Sequence, residues 1–354
     1  MEKEPEKKLV SEWEMMHKNN DGEAEVTTLH KYSYPDQPVE LDQFVTQAKP
    51  TRIYSNKTHY EPHQDKILAA SGDQHYGFRN TPEGLVPTHN PEVMDVWLQM
   101  MKDVQPDIIL FGGDMIDLPE LSKYDPDSRH FLDTIQQSID GLYRYLSRVR
   151  ADNPNARIVA MQGNHENRFN KTMIRNSMPL FGVKPACMPE EFATTSFPFF
   201  LRLNDLEIEY VSGYPAESFQ VNDELRFVHG DMSKPNNALA YLQRDSISTG
   251  YFHDHRTGLA RKTFPNGRSI EAFGFGCQAD ITGKVPAVHN GVDDMGRVKE
   301  RYENWNNGAG FVEYSDKHFK PEFVEINGPD YTAQREGRIK EARKAVAEAL
   351  AKGE

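Results

Sequence analysis

The sequence predicts an α/β domain whose first half pairs its strands in parallel and whose second half is richer in β. Three observations predict it. Short apolar runs alternate with longer stretches in which apolar residues recur at helical spacing. Each run ends in a polar turn with a glycine, the position where open α/β sheets place their ligands. The third observation is the run Ile108-Ile109-Leu110-Phe111-Gly112-Gly113-Asp114-Met115-Ile116-Asp117. Its four apolar residues suit a strand buried on both faces, and the paired glycines allow a sharp turn. Two carboxylates follow, spaced so that Asp114 can face a metal while Asp117 braces the loop behind it.

Residues 1–60 are polar and irregular, and read as an appendage to the main domain. Leu9, Trp13 and Met16 fall at helical spacing and predict a short amphipathic helix over 10–17. Tyr32-Ser33-Tyr34-Pro35 reads as loop or edge strand. The main domain, expected over 61–330, opens with a strand at 66–70 that ends in Ser71-Gly72-Asp73-Gln74-His75. Asn90 is a fair N-cap with Pro91 at the first helical position, and Val93, Val96, Trp97, Met100, Met101 and Val104 share one face of the helix that follows. After the strand at Ile108, a charged loop leads to a long helix over 131–150 that Asn153-Pro154 stops. The next strand, 157–161, ends in Gln162-Gly163-Asn164-His165-Glu166.

Strands are predicted at 206–211 and 225–228, the latter ending in His229-Gly230-Asp231. A short helix over 238–243 precedes Gly250-Tyr251-Phe252-His253-Asp254-His255. Further strands fall at 269–275, 310–314 and 322–326. The last segment, 331–354, is rich in Ala, Lys, Arg and Glu, and reads as a helix with a mostly solvated face and a narrow stripe for packing or a homo-oligomer or protein-partner contact.

The 354 residues suffice for one large domain with appendages, or for two domains. Against 41 basic residues stand 54 acidic ones, a net charge of −13. That balance disfavours indiscriminate binding to nucleic acid or anionic membrane but leaves room for a local basic groove. Cys187 and Cys277 are the only cysteines, so no disulfide framework is implied and a reducing compartment is favoured. The N-terminal stretch lacks the apolar run of a signal peptide, and no segment approaches the length of a membrane span. A cytoplasmic location, away from membranes, is expected.

Five strand ends thus carry Asp73 with His75, Asp114 with Asp117, Asn164 with His165, His229, and His253 with His255. Oxygen and nitrogen donors in this mixture suit Mn, Fe or Zn better than Mg or Ca. Asp73, His75, Asp114 and His255 would surround one ion, and Asp114, Asn164, His229 and His253 a second. A carboxylate at Asp114 can bridge them at roughly 3.5–4 Å. Any one of these histidines alone would more often be a hydrogen-bonded core residue; the ordered set is what carries weight.

The blocks D-Q-H, G-D-M-I-D, G-N-H-E, H and H-D-H resemble the calcineurin-like metallophosphoesterase superfamily, and the matching stretch covers about residues 66 to 280. Its pattern is D-x-H, G-D-x-x-D, G-N-H-D/E, H and G-H-x-H; Phe252 stands here where the family has its last glycine. The resemblance implies a four-layer α-β-β-α sandwich of two mixed sheets with the metals at strand ends. It implies the ligand roles just assigned, with His165 contacting the phosphate or leaving oxygen instead of a metal. Leu118 and Gln162 occupy positions where the protein phosphatases of the superfamily carry arginines. The chain is therefore more similar to the stand-alone prokaryotic and bacteriophage enzymes or to the repair nucleases, and a viral chain would act in its host's cytoplasm.

The chemistry so implied is hydrolysis of a phosphoester by a hydroxide bridging two divalent ions, most readily Mn, with Fe or Zn as alternatives. His165 would serve as acid, Glu166 would orient His165 or a loop amide, and Asp117 would do supporting work of the same kind. Arg168, one helical turn past the third block, and Arg79 are candidates for phosphate contact, although a solvated or salt-bridged surface arginine is the commoner outcome. His59, His63, His89, His130, His289 and His318 read as ordinary loop or surface histidines. Loops 76–90, 118–130 and 282–305 are long enough to wall a groove. A phosphodiesterase or nuclease leads among the readings, with a phosphomonoesterase, or a silent binding module of the same fold, as alternatives. No ligand and no third-block histidine is missing, which favours an enzyme.

Overall fold

The chain divides into two compact units, Met1–Thr51 and Arg52–Glu354. The computed structural model describes residues 66–81, 84–121, 133–188, 193–281 and 304–326, together with the backbone of two strands in the first unit. Those strands, β1 (Lys8–Lys18) and β2 (Ala24–Ser33), pair antiparallel, with Trp13 opposite Leu29 and Met16 opposite Val26. The helix expected over 10–17 is therefore corrected to a strand. Its apolar spacing fits a helix, but so short a helix is marginal alone. A β-branched partner, Val26-Thr27-Thr28, favours the hairpin instead. Tyr32 and Ser33 close β2.

In the second unit β3 (Lys66–Ser71) leads into a hairpin of β4 (Phe78–Thr81) and β5 (Gly84–Pro87), then α1 (Pro91–Val104) and β6 (Ile108–Phe111). Next come α2 (Ile135–Asp152), β7 (Arg157–Met161), α3 (Asn164–Ser177), α4 (Phe197–Phe200) and β8 (Ile208–Val211). β9 (Phe219–Gln220), β10 (Leu225–Val228), α5 (Asn237–Arg244) and β11 (Ser248–Tyr251) follow. The described chain closes with β12 (Thr257–Thr263), β13 (Ser269–Phe275), β14 (Gly308–Tyr314) and β15 (Phe319–Glu325). The expected cap holds α1, where the Asn90 side chain accepts from the Val93 amide at 3.2 Å.

Two mixed sheets result. The larger runs β15-β14-β3-β6-β7-β8, with β3, β6, β7 and β8 parallel and β14 antiparallel to both neighbours. The smaller runs β12-β13-β11-β10-β9, parallel at its centre and antiparallel at both edges. Neither β12 nor the β4–β5 hairpin is foreseen from the sequence. β12 reads Thr-Gly-Leu-Ala-Arg-Lys-Thr, its last three residues are exposed, and only its pairing with β13 makes it a strand. The long helix begins at Ile135, and its expected start at Phe131 lies outside the described residues, as do the C-terminal segment 331–354 and most of loops 118–130 and 282–305.

Strand parity sorts side chains into layers. Ala69, Ile109, Phe111, Ile158 and Ala160 face α1 and α2. Their neighbours Leu68, Ala70, Leu110, Val159 and Met161 face the other sheet and meet Leu225, Phe227, Phe273 and Phe275. On the far side, Val228, Tyr251, Ile270 and Ala272 pack against Ala238, Tyr241 and Leu242 of α5. The architecture is thus α-β-β-α in four layers, as the motif resemblance implies. No described helix is long and apolar enough to cross a membrane.

Phe252 explains its own departure from the motif. Its ring is buried between the sheets, stacks on Phe227 at 6.0 Å, and fills the space that a Cβ on Gly72 or Gly112 would occupy. The two strand-end turns are thereby seated on one aromatic face. Phe252→Ala should lower stability by about 3–5 kcal/mol, the usual cost of truncating a buried phenylalanine. Urea unfolding of the metal-free protein checks this, and a loss under about 1 kcal/mol would show that the ring is not packed there.

Candidate metal centre

The centre lies where β3, β6, β7, β10 and β11 end, and the backbone there is bent by design of its hydrogen bonds. The Asp73 amide donates to the Gly113 carbonyl at 2.9 Å and the His75 amide to the Asp114 carbonyl at 3.0 Å, which laces the first two turns together. Ten non-glycine residues among those described have positive φ, and Asp73, His75, Asp114, His253 and His255 are five of them. Such conformations are costly for residues with a Cβ and persist where surrounding contacts over-determine them. Half of the left-handed non-glycine positions among the described residues therefore sit on candidate ligands.

Donor atoms converge in the two expected clusters and in a third group, His75 with Asp117 and His165. In the first, Nε2 of His75 and Nε2 of His255 are 3.1 Å apart, and Nε2 of His255 is 3.4 Å from Oδ1 of Asp73. That Asp73 oxygen is buried with no hydrogen-bond partner, while Oδ2 is taken by the His253 amide at 2.8 Å. In the second, Asp114, His229 and His253 bring their ligand atoms within 4.8 Å of one another. Nδ1 of His229 donates to the Gly112 carbonyl at 2.8 Å, because that oxygen can only accept. Nε2 of His229 therefore faces Oδ1 of Asn164 at 3.2 Å and Oδ2 of Asp114 at 3.4 Å. Acceptor atoms so arranged need a proton or a cation between them, and the donor set fits divalent ions of the Mn, Fe or Zn type. The same Asp114 oxygen is 4.0 Å from Nε2 of His75, so it looks toward both clusters.

The electrostatics divide the histidines. Burial, then the neighbouring His165 and His255, hold His75 well below the usual imidazole range, and burial with His229 lowers His253. Both stand neutral, ready to ligate. Burial opposes charge on His229 too, but Asp114 outweighs it and raises the imidazole to about 9. Burial likewise pushes Asp114 up, yet His229 and His165 hold it well below the carboxylate range. In the metal-free protein, Asp114 and His229 are thus an ion pair.

Glu166 and Asp117 have separate tasks. Glu166, fully buried at the start of α3, accepts from the amides of Gly163, Asp114, Met115 and Ile116 at 2.8, 3.0, 2.7 and 3.3 Å. Of its two expected roles, the structure places it on loop amides. Asp117 instead lies 3.1 Å from Nδ1 of His165, whose amide donates to Oδ1 of Asp114 at 2.8 Å. Nη1 of Arg168 comes within 3.2 Å of that same His165 nitrogen. Arg79 is half-buried in β4, within the field of Asp280.

Some residues of the centre escape sequence reasoning. The Tyr214 ring meets His229 edge-on at 5.6 Å, and Trp305 meets His255 at 4.0 Å. Trp305 closes a loop already expected to wall a groove; Tyr214 carries no comparable signal. Gln162 is spent on the Gly213 and Tyr214 amides, at 2.9 and 3.1 Å. One expectation is corrected: His89 is no ordinary surface residue but is buried, stacked on Tyr76 at 3.8 Å, and lowered by burial to about 4. It was hidden because only the fold carries β5 back against the first block. His318 is exposed, and His59, His63, His130 and His289 lie outside the described residues.

No family model matches this chain, and no curated protein matches it. Among solved structures it is similar to Yfce, a phosphoesterase from E. coli, at 12% identity and a TM-score of 0.32, over 73% of this chain and 99% of that one. The centre's own chemistry therefore has to decide its function.

Asp114→Asn should cost metal at both positions, because one oxygen looks toward both clusters. Elemental analysis after dialysis against Mn²⁺ checks this, and one ion retained at full occupancy would show that Asp114 does not bridge. The protonated His229 sets a second expectation. Because its proton must leave before Nε2 can ligate, affinity should rise with pH by up to about tenfold per unit toward pH 9 and flatten above it. Calorimetric titration with Mn²⁺ reads this directly; an affinity indifferent to pH would remove His229 from the ligand set.

Proposed function

We propose that this protein is a dinuclear metal-dependent phosphoesterase of the calcineurin-like superfamily that hydrolyses phosphodiesters, with nucleic acid as its polymer and manganese as its metal. The observation that carries the reading is the convergence of two buried carboxylate–imidazole clusters on Asp114, with His165 held beside them by Asp117. Bound divalent ions would supply an activated water and neutralise charge on the phosphoryl oxygens.

The residues of the chain do the rest. Oδ1 of Asp117 lies 3.1 Å from Nδ1 of His165, whose Nε2 faces the centre, 3.8 Å from Oδ2 of Asp114. From there His165 can hand a proton to a departing oxygen. Arg168, beside His165, is near enough to meet a phosphate oxygen once it leaves that contact. Support for a diester comes from two positions that provide no cation. Leu118 is buried in the helix-facing core, and the Gln162 carbonyl is occupied by loop amides. A dianionic monoester would lack two charge-assisted clamps there, whereas a diester, with one charge per phosphate, depends on them less.

The test compares bis-p-nitrophenyl phosphate with p-nitrophenyl phosphate after EDTA treatment and re-addition of metal. Activity should vanish with chelation, return best with Mn²⁺, and favour the diester; full activity in EDTA would end the dinuclear reading, and a faster monoester would make the enzyme a phosphatase. His165→Ala should retain metal and lower turnover by about 10²–10⁴ for poor leaving groups, but much less for p-nitrophenolate. An equal loss for both would assign His165 to phosphate positioning.

A further inference from the structure

We infer that the exposed face of α3, from Arg168 through Lys171 to Arg175, is a track for single-stranded nucleic acid leading into the metal centre. This deepens, and rests on, the phosphodiesterase reading. In a chain of net charge −13, residues 167–188 contain Arg168, Lys171, Arg175 and Lys184 and no acidic residue. Spacings of three and four put the first three cations on one helical stripe. Lys171 and Arg175 are exposed and form no ion pair among the described residues, and Arg168 contacts His165. Because α3 starts at the centre itself, the stripe runs about 15 Å outward from His165, at 1.5 Å per residue. A cationic row that begins at a metal centre fits a substrate with charge repeated along its length.

Apolar exposure points to single strands. Of the ten large hydrophobic residues exposed among those described, eight lie between Ile174 and Phe200. Ile174 lies one turn beyond Lys171 on α3, Met178 directly follows the helix, and α4 adds the Phe199 and Phe200 rings, with Phe200 5.2 Å from Phe169. Unpaired bases stack on such surfaces while phosphates follow the cations; a duplex keeps its base faces to itself.

The experiment uses the full chain with Mn²⁺ and a fluorescent, phosphorothioate-linked oligothymidylate of about 20 nucleotides. The double variant Lys171→Glu/Arg175→Glu should weaken binding at least tenfold. It should also flatten the slope of log K against log salt by about 1.4, the value expected for two lost phosphate contacts. Hydrolysis of bis-p-nitrophenyl phosphate should stay within twofold of wild type, since neither residue touches the centre. Lys171→Arg/Arg175→Lys should bind like wild type. Unchanged oligonucleotide binding in the charge-reversed variant would overturn the track, as would wild-type protein that ignores the oligonucleotide and binds phosphatidylserine vesicles through the same residues. If wild type fails to hydrolyse either nitrophenyl ester yet binds the oligonucleotide through Lys171 and Arg175, the phosphoesterase reading falls and the track stands.

Discussion

The carboxylate of Glu166 is the interaction on which the centre depends. It accepts from four backbone amides, one in the turn after β7 and three in the turn after β6. Hydrogen bonds to a charged group typically contribute about 1.5–3 kcal/mol each, more than neutral ones, and a fully buried carboxylate without them would be severely penalised. By joining those turns, Glu166 fixes Asp114 relative to Asn164 and His165, which sit two residues and one residue before it. Asp114 and His165 are thus positioned by a side chain whose own oxygens are spent on backbone amides.

A second constraint comes from beneath. Phe252 fills the floor under Gly72 and Gly112, so its buried ring seats the turns that carry Asp73, His75 and Asp114. The same residue leads directly into His253 and His255, both at positive φ. Packing between the sheets and strain at the ligands are therefore one arrangement. Core aromatics hold the turns against the relaxation that left-handed side-chain residues would otherwise undergo. A phenylalanine in place of glycine before the last block does not disturb the centre, because the glycines opposite supply the room.

Charge is distributed with similar economy. Inside the centre, burial keeps His75 and His253 neutral while Asp114 keeps His229 protonated until something displaces the proton. Outside, an acidic total charge contrasts with residues 167–188, which hold four cations and no acid and include most of the helix that starts at the centre. Short-range burial decides the first pattern. The second acts over roughly a Debye length of about 8–10 Å, which suits the capture and guidance of a polyanion.

Much of this was legible in the chain alone. The strands at 157–161, 225–228 and 269–275, the Asn90 cap and the five polar strand ends follow from period-2 and period-3.6 patterning and from turn chemistry, all of which are local. The N-terminal hairpin, β12 and the burial of His89 were not legible, because each depends on a partner strand or ring far away in sequence. Glu166 illustrates the division most sharply. Its sequence neighbours allowed either His165 or a loop amide as its partner, and only the apposition of the β6 and β7 turns placed it on the amides. Local pattern therefore determined which residues could be ligands and at which strand ends. Tertiary structure decided which atoms face one another, since distances between strand ends are set by sheet pairing and packing, about which no short stretch of sequence carries information.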